Sequence, residues 1–392
     1  MRKILLAIFV VVLALNLSSC KKDNRSLRTD QTLFVYMPWS TNLTTYFHQN
    51  LADFETALQG DILKNNRLVV FFATSATEAT MFEMIYKNGE NLRTTLKEYN
   101  YTNPDFTTTA GIASILNDVI TFAPAKRYAM TVSCHGMGWL PVSATKGERL
   151  GVVDSEKYHY EYEGVPLTRY FGGTTSDVQA EVTTLAAAIK SVGIKMDYIL
   201  FDDCYMSTVE VAYDLKDVTN YLIASPTEVM AYGFPYHVIG KYMIGNFDLK
   251  GICDGFHEFY KNYVYPYGTI GVTVTAELSN LAAVTKEVNR RFAFDPALLN
   301  SVQEMDGYSP VIFFDMGDYV SKLCTDAELL NRFQNQLKRT VPVEFSLHTQ
   351  NYYSASRGVV AIASYSGVTI SDPSVSAKAV GKTNTAWYKA TH

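Results

Sequence analysis

The chain has 392 residues, 47% of them hydrophobic and 19% charged, which provides for a large packed core and excludes wholesale disorder. A net charge of −5 excludes the basic stripe of a general nucleic-acid binder, and no nucleic-acid partner is expected. The five cysteines are scattered, with no CxxC pair and no His/Cys cluster, which excludes a disulfide scaffold and a zinc centre.

In chain order, the first element is an export signal. Arg2 and Lys3 precede an apolar run from Ile4 to Leu15, too short for a comfortable membrane span. Leu17-Ser18-Ser19-Cys20 resembles a bacterial lipobox, with the Cys20 thiol as the lipid acceptor. Residues 1–19 are thus expected to be removed, and 20–30 to form a polar tether holding the protein to the cell envelope.

Buried strands are expected at Thr32–Tyr36 and Arg67–Ala73, since continuous apolar runs suit strands covered on both faces. Between them, Phe47, Leu51, Phe54, Leu58 and Ile62 recur at helical spacing. An edge strand at Thr80–Tyr86 and a helix at Thr109–Phe122 follow. A third strand, Arg127–Ser133, runs straight into Cys134-His135-Gly136. A hairpin near Tyr158–Pro166 is expected within a polar stretch, then a helix at Val178–Ser191. A fourth strand, Tyr198–Phe201, runs into Asp202-Asp203-Cys204, and a helix is expected from Met206 to Leu215. Beyond Tyr221–Ala224, helices at Ile252–Tyr263, Leu281–Phe292 and Leu329–Lys338 alternate with strands at Thr269–Thr275 and Val311–Phe314. Closing strands are expected at Val341–Leu347 and Gly358–Ser364. The alternation predicts an α/β sandwich with a mainly parallel sheet. Residues 31–245 are expected to form one domain and 246–392 a C-terminal α/β portion packed on it.

In open α/β sheets, functional groups collect beyond the carboxyl ends of the strands. His135 and Cys204 both sit there. An imidazole beside a thiol generates the thiolate nucleophile, and a helix beginning just after Cys204 would favour it further. Backbone N–H groups at Gly136 and Gly138 suit an oxyanion. Taken alone, the two residues suit a buried core thiol equally well. Cys134, Cys253 and Cys324 read as core thiols, and His48, His237 and His257 as surface or satisfied histidines.

Ser133-Cys134-His135-Gly136-Met137-Gly138-Trp139 resembles the His-Gly-x-Gly-Trp segment of clostripain-like peptidases, family C11 of clan CD. Ile199-Leu200-Phe201-Asp202-Asp203-Cys204-Tyr205-Met206 resembles their strand-Asp-Ala-Cys-x-Met segment. Ala224-Ser225-Pro226-Thr227-Glu228 and Gly233-Phe234-Pro235-Tyr236 continue the match. The resemblance implies a caspase-like α/β/α sandwich and a cysteine endopeptidase with His135 as acid/base and Cys204 as nucleophile. It implies Asp202 at the base of the S1 pocket and protein or peptide substrates cut after Arg or Lys. A helix N-cap is the plainer role for Asp202. The resemblance also implies self-processing after a basic residue, with Lys146, Arg149, Lys157 and Arg169 as candidates. No cofactor is assigned. Some relatives require calcium, but Glu304, Asp315 and Asp318 make no compact oxygen-ligand loop, and no metal is expected. A monomer is expected. Asp203 stands where the family has Ala, and its charge disfavours a thiolate unless it is turned away or paired. Pro226-Thr227 likewise replaces a more acidic pair, and on these two grounds the rival reading is a catalytically silent lipoprotein that binds a protein or peptide partner. Acyl transfer by the same dyad is a further alternative.

Overall fold

The computed structural model describes residues 29–40, 43–142 and 178–392, and residues 168–169 by backbone alone. Cys20 and its leader, Lys146, Arg149, Lys157 and the hairpin expected near 158–166 lie outside the described residues.

Among the described residues, nine strands form the main sheet: β1 (Gln31–Met37), β2 (Arg67–Ala73), β3 (Glu78–Lys87), β4 (Glu90–Asn100), β5 (Arg127–Val132), β6 (Met196–Phe201), β7 (Tyr221–Ala224), β8 (Thr269–Val274) and β9 (Leu347–His348). Their spatial order is β9-β8-β7-β6-β5-β1-β2-β3-β4. The five central strands, β7 to β2, are parallel, and antiparallel strands extend both ends. The chain therefore winds one way from β1 to β2 and the other way from β5 through β7, placing the switch point between β1 and β5.

Helices cover both faces, as the unbroken apolar runs predict. Alternation along the strands divides the core. Phe34 and Tyr36 of β1, with Val69 and Phe71 of β2, meet α2 (Thr109–Phe122), α3 (Val182–Ser191) and α4 (Val209–Leu215) on one face. Leu33, Val35, Leu68 and Val70 meet α1 (Thr44–Ala57), α5 (Tyr236–Met243) and α6 (Leu249–Asn262) on the other. The remaining helices, α7 (Leu278–Arg291), α8 (Met316–Leu323), α9 (Ala327–Thr340) and α10 (Ala386–Thr391), join the first face. No helix among the described residues is long and apolar enough to cross a membrane.

Several expectations need correction. The strand near Thr80–Tyr86 is not the edge, because β4 pairs outside it. Val341–Leu347 is a 3-10 turn at Val343–Phe345 followed by the two-residue β9. Gly358–Ser364 does not join the main sheet; Gly358–Ala361 pairs with Asn351–Ser354 as a separate hairpin. The strand at Val311–Phe314 shrinks to Phe314–Asp315. The main sheet runs on past residue 246 through β8 and β9.

Candidate active site

Neighbouring strands β5 and β6 end together. Val132 pairs with Phe201, and the Asp202 N–H donates to the Val132 carbonyl at 2.8 Å. The loops that follow them, 133–139 and 202–208, lie against each other at the carboxyl edge of the sheet. Gly136 shows how closely. A Cβ there would run into the Cys204 carbonyl oxygen and stand 2.8 Å from Asp203 Cβ and 3.0 Å from Cys204 N. The residue following His135 is thus laid on the peptide of Cys204 itself, an approach that only glycine permits. Gly138, at φ +61°, turns the loop against Phe313 and the Tyr205 carbonyl.

Asp203 takes part in this contact. Its Oδ1 accepts the Cys134 N–H at 2.5 Å, and its Oδ2 stands 3.5 Å from the Cys134 Sγ. The carboxylate that stands beside Cys204 in sequence therefore anchors the histidine loop. Cys134 is half-buried, its Sγ 3.1 Å from the His135 carbonyl oxygen.

Cys204 and His135 are both buried, at 0% and 3% exposure. The Cys204 Sγ accepts the Val229 N–H at 3.3 Å. The helix expected from Met206 begins only at Val209, with Thr208 as its cap accepting from the Val211 N–H. The helix N-terminus therefore does not reach the Cys204 thiol: four residues lie between them, and a donor at the sulfur is the Val229 amide. Tyr205 sits in the left-handed region at φ 60°, a conformation disfavoured for a bulky side chain. Its N–H donates to the Thr227 carbonyl, its ring stacks on Phe313 and its hydroxyl donates to Glu228. Burial and the adjacent Glu228 push its pKa well up.

Asp202 is fully buried. Its Oδ1 accepts the Phe234 N–H and its Oδ2 the Tyr236 hydroxyl, each at 3.0 Å. It caps no helix. Phe234 and Tyr236 belong to the segment singled out in sequence, but nothing there marked them as partners of Asp202. The role of Val229, a backbone donor, left no sequence signal at all.

The other singled-out residues have structural partners. Asp315 caps α8 through the Asp318 N–H and also accepts from Ser366. Asp318 pairs with Lys322, and Glu304 with Arg357. No cluster of three metal-ligating side chains occurs among the described residues. Cys253 and Cys324 are buried, and burial pushes the Cys253 thiol up. His48 is exposed, His237 is 3.0 Å from Asp53 and His257 is 3.1 Å from the His348 carbonyl.

The profile of the clostripain family, peptidase C11, matches residues 35–355. The chain belongs to that family. It is a cysteine endopeptidase with a caspase-like sandwich, as the resemblance in sequence implied. A secreted C11 cysteine protease from Bacteroides thetaiotaomicron, iotapain, is 55% identical, with a TM-score of 0.85 over 93% of this chain and 99% of that one. A clostripain from the same organism, in complex with the peptide inhibitor BTN-VLTK-AOMK, is 60% identical over 57% of this chain and 99% of its own, with a TM-score of 0.56. An inactive zymogen C11 protease from Parabacteroides distasonis is 26% identical, with a TM-score of 0.73 over 92% and 98%. No curated protein matches the chain. The Asp203 ground for the silent-lipoprotein reading falls away, since that carboxylate is engaged by the Cys134 amide.

Proposed function

We propose that this peptidase cuts after Arg or Lys through a Cys204–His135 dyad and is held at the cell envelope by a lipid on Cys20. The observation that carries the catalytic part is the seating of the His135 loop on the Cys204 peptide, at the ends of adjacent parallel strands. The His135 imidazole takes the Cys204 proton. The thiolate attacks the scissile carbonyl, and the Gly136 N–H meets the oxyanion. His135 returns the proton to the leaving amine, and water then hydrolyses the thioester.

Asp202 sets specificity in this reading. A carboxylate held from both oxygens is a fixed partner for a guanidinium, whose planar fork it suits better than an ammonium. A contact of this kind contributes roughly 1.5–3 kcal/mol. The Asp202→Ala variant should therefore lose about ten- to a hundredfold in kcat/KM on an Arg substrate. Fluorogenic peptides with Arg, Lys or a neutral residue at P1 test this. An unchanged Arg preference in the variant would remove Asp202 from the S1 pocket.

The substrate strand has a candidate edge. Thr168–Arg169 pairs antiparallel with Val229–Met230, and Arg169 stands opposite Val229, whose N–H holds the Cys204 sulfur. A peptide added as a strand at this edge would run past the nucleophile. Leu167-Thr168-Arg169 also echoes the VLTK of the inhibitor bound to the related clostripain: Leu-Thr, then a basic residue. Among Lys146, Arg149, Lys157 and Arg169, Arg169 is thus the preferred self-processing site. Intact mass measurement should find wild type cut after Arg169, and Arg169→Ala and Cys204→Ala uncut there. A wild-type break elsewhere would refute the assignment.

A further inference from the structure

The C-terminal segment 367–372 reaches back to the nucleophile loop. Ser207 Oγ donates to the Gly367 carbonyl at 2.7 Å, and the Thr369 N–H donates to the Ser207 carbonyl at 2.9 Å. Two residues on, Ser371 touches both catalytic loops. Its N–H donates to Glu210 Oε1 at 2.8 Å, on the first turn of α4. Its Oγ accepts the indole N–H of Trp139 at 2.8 Å, at the end of the histidine loop. Gly381 lies under the Trp139 ring, where an added Cβ would stand 3.8 Å away.

A buried acidic pair backs this contact. Glu210 is 1% exposed, and its Oε2 has no partner; the Asp372 Oδ2 is likewise buried and unpartnered. Lys382 is the cation nearby, but its Nζ is spent on the carbonyls of Asp372 and Ser374, at 2.6 and 2.7 Å, and more loosely on that of Ser371. Tyr319 of α8 feels Asp372 too: burial first, and that carboxylate second, push its pKa up. Two buried carboxylates whose charges interact, without full compensation, are favoured with a proton on one of them.

We propose that Ser371 and Glu210 are positioning residues, which brace the histidine loop against the nucleophile loop through Trp139 and do so with Glu210 neutral. Neutral Glu210 offers Oε1 to the Ser371 amide without placing a bare charge in the core. Burial first, and Asp372 second, push its pKa up to about 8. The folded state therefore holds a proton that the unfolded chain has lost above the ordinary range of Glu. This contribution to stability is complete below the unfolded pKa of about 4.5 and is lost as pH rises through about 8. Alkaline pH should loosen the brace.

The inference rests on the proposed dyad, so its test includes a readout independent of it. Ser371→Ala and Trp139→Phe should each lower kcat about tenfold on the Arg peptide with KM within twofold. Because they remove one shared bond, the double variant should be no worse than the weaker single variant. Glu210→Gln, which keeps the acceptor and cannot ionise, should match wild type at pH 6 and exceed it at pH 9. Its melting temperature should fall less than that of wild type between pH 5 and 8. Hydrogen exchange of the Trp139 indole N–H reads the brace directly: slow in wild type, fast in Ser371→Ala. Multiplying losses, superimposed pH profiles, or equal indole exchange would each overturn the proposal. A wild-type Cys204 that fails to react with a basic electrophile while the indole result holds would instead defeat the dyad and leave the brace standing.

Discussion

Replacing Cys204 with alanine should abolish turnover, lowering kcat by about 10⁴-fold or more, while the protein still folds and still binds a basic peptide. The side chain is small, and the Val229 N–H donates to it at 3.3 Å, so its loss leaves a modest gap in a packed interior. His135→Ala should cost nearly as much. The double variant should be no worse than Cys204→Ala alone, because the proposed nucleophile and base would act as one unit. Single-turnover kinetics on the Arg peptide, with melting curves as controls, check both statements. Appreciable turnover by Cys204→Ala would show that the thiol at 204 is not the nucleophile.

Gly136→Ala should be nearly as damaging for a different reason. The added methyl group meets the Cys204 carbonyl, and backbone rather than a flexible side chain is what it would have to displace. Overpacking of this kind costs roughly 1–3 kcal/mol. The greater effect is on chemistry: moving His135 by about 1 Å relative to the sulfur costs about 10²-fold in kcat. A lowered melting temperature together with a kcat loss of that order is the expected pair of results. Gly193→Ala offers a contrast, since an added Cβ there meets nothing within 4 Å, although its φ of +72° carries some backbone strain. It should leave kcat unchanged. A Gly136→Ala enzyme with full activity would mean that the two loops do not need this close seating.

The central strands were legible because each is an apolar run covered on both faces, and because two of them end abruptly in chemistry, at His135 and at Asp202–Cys204. The outer strand β4 was not. Its residues, Glu-Asn-Leu-Arg-Thr-Thr, are exposed on both faces, so no alternation betrays them. The signal was instead Asn88-Gly89, both with positive φ, a tight hairpin turn between β3 and β4. The start of α4 was misread because Met206, three residues before Val209, continues the apolar spacing, whereas Thr208 is the residue that caps. Asp203 looked like an obstacle to catalysis, because a sequence does not show which neighbour a carboxylate meets. Ser371 was beyond reach for another reason: its partners Trp139 and Glu210 are 232 and 161 residues away, and nothing local distinguishes it from the serines around it.

The parallel sheet also has a direction. The described chain enters at Thr29–Asp30 and begins β1 at Gln31, at the edge shared by the amino ends of the parallel strands. His135 and Cys204 stand at the opposite edge, about 20 Å away along a strand of six or seven residues. With a lipid on Cys20, as proposed, a ten-residue stalk of at most about 35 Å would root the molecule by its blunt end. The cutting end would then point outward into the aqueous space. So anchored, the protease would trim what drifts past the bilayer rather than what is embedded in it.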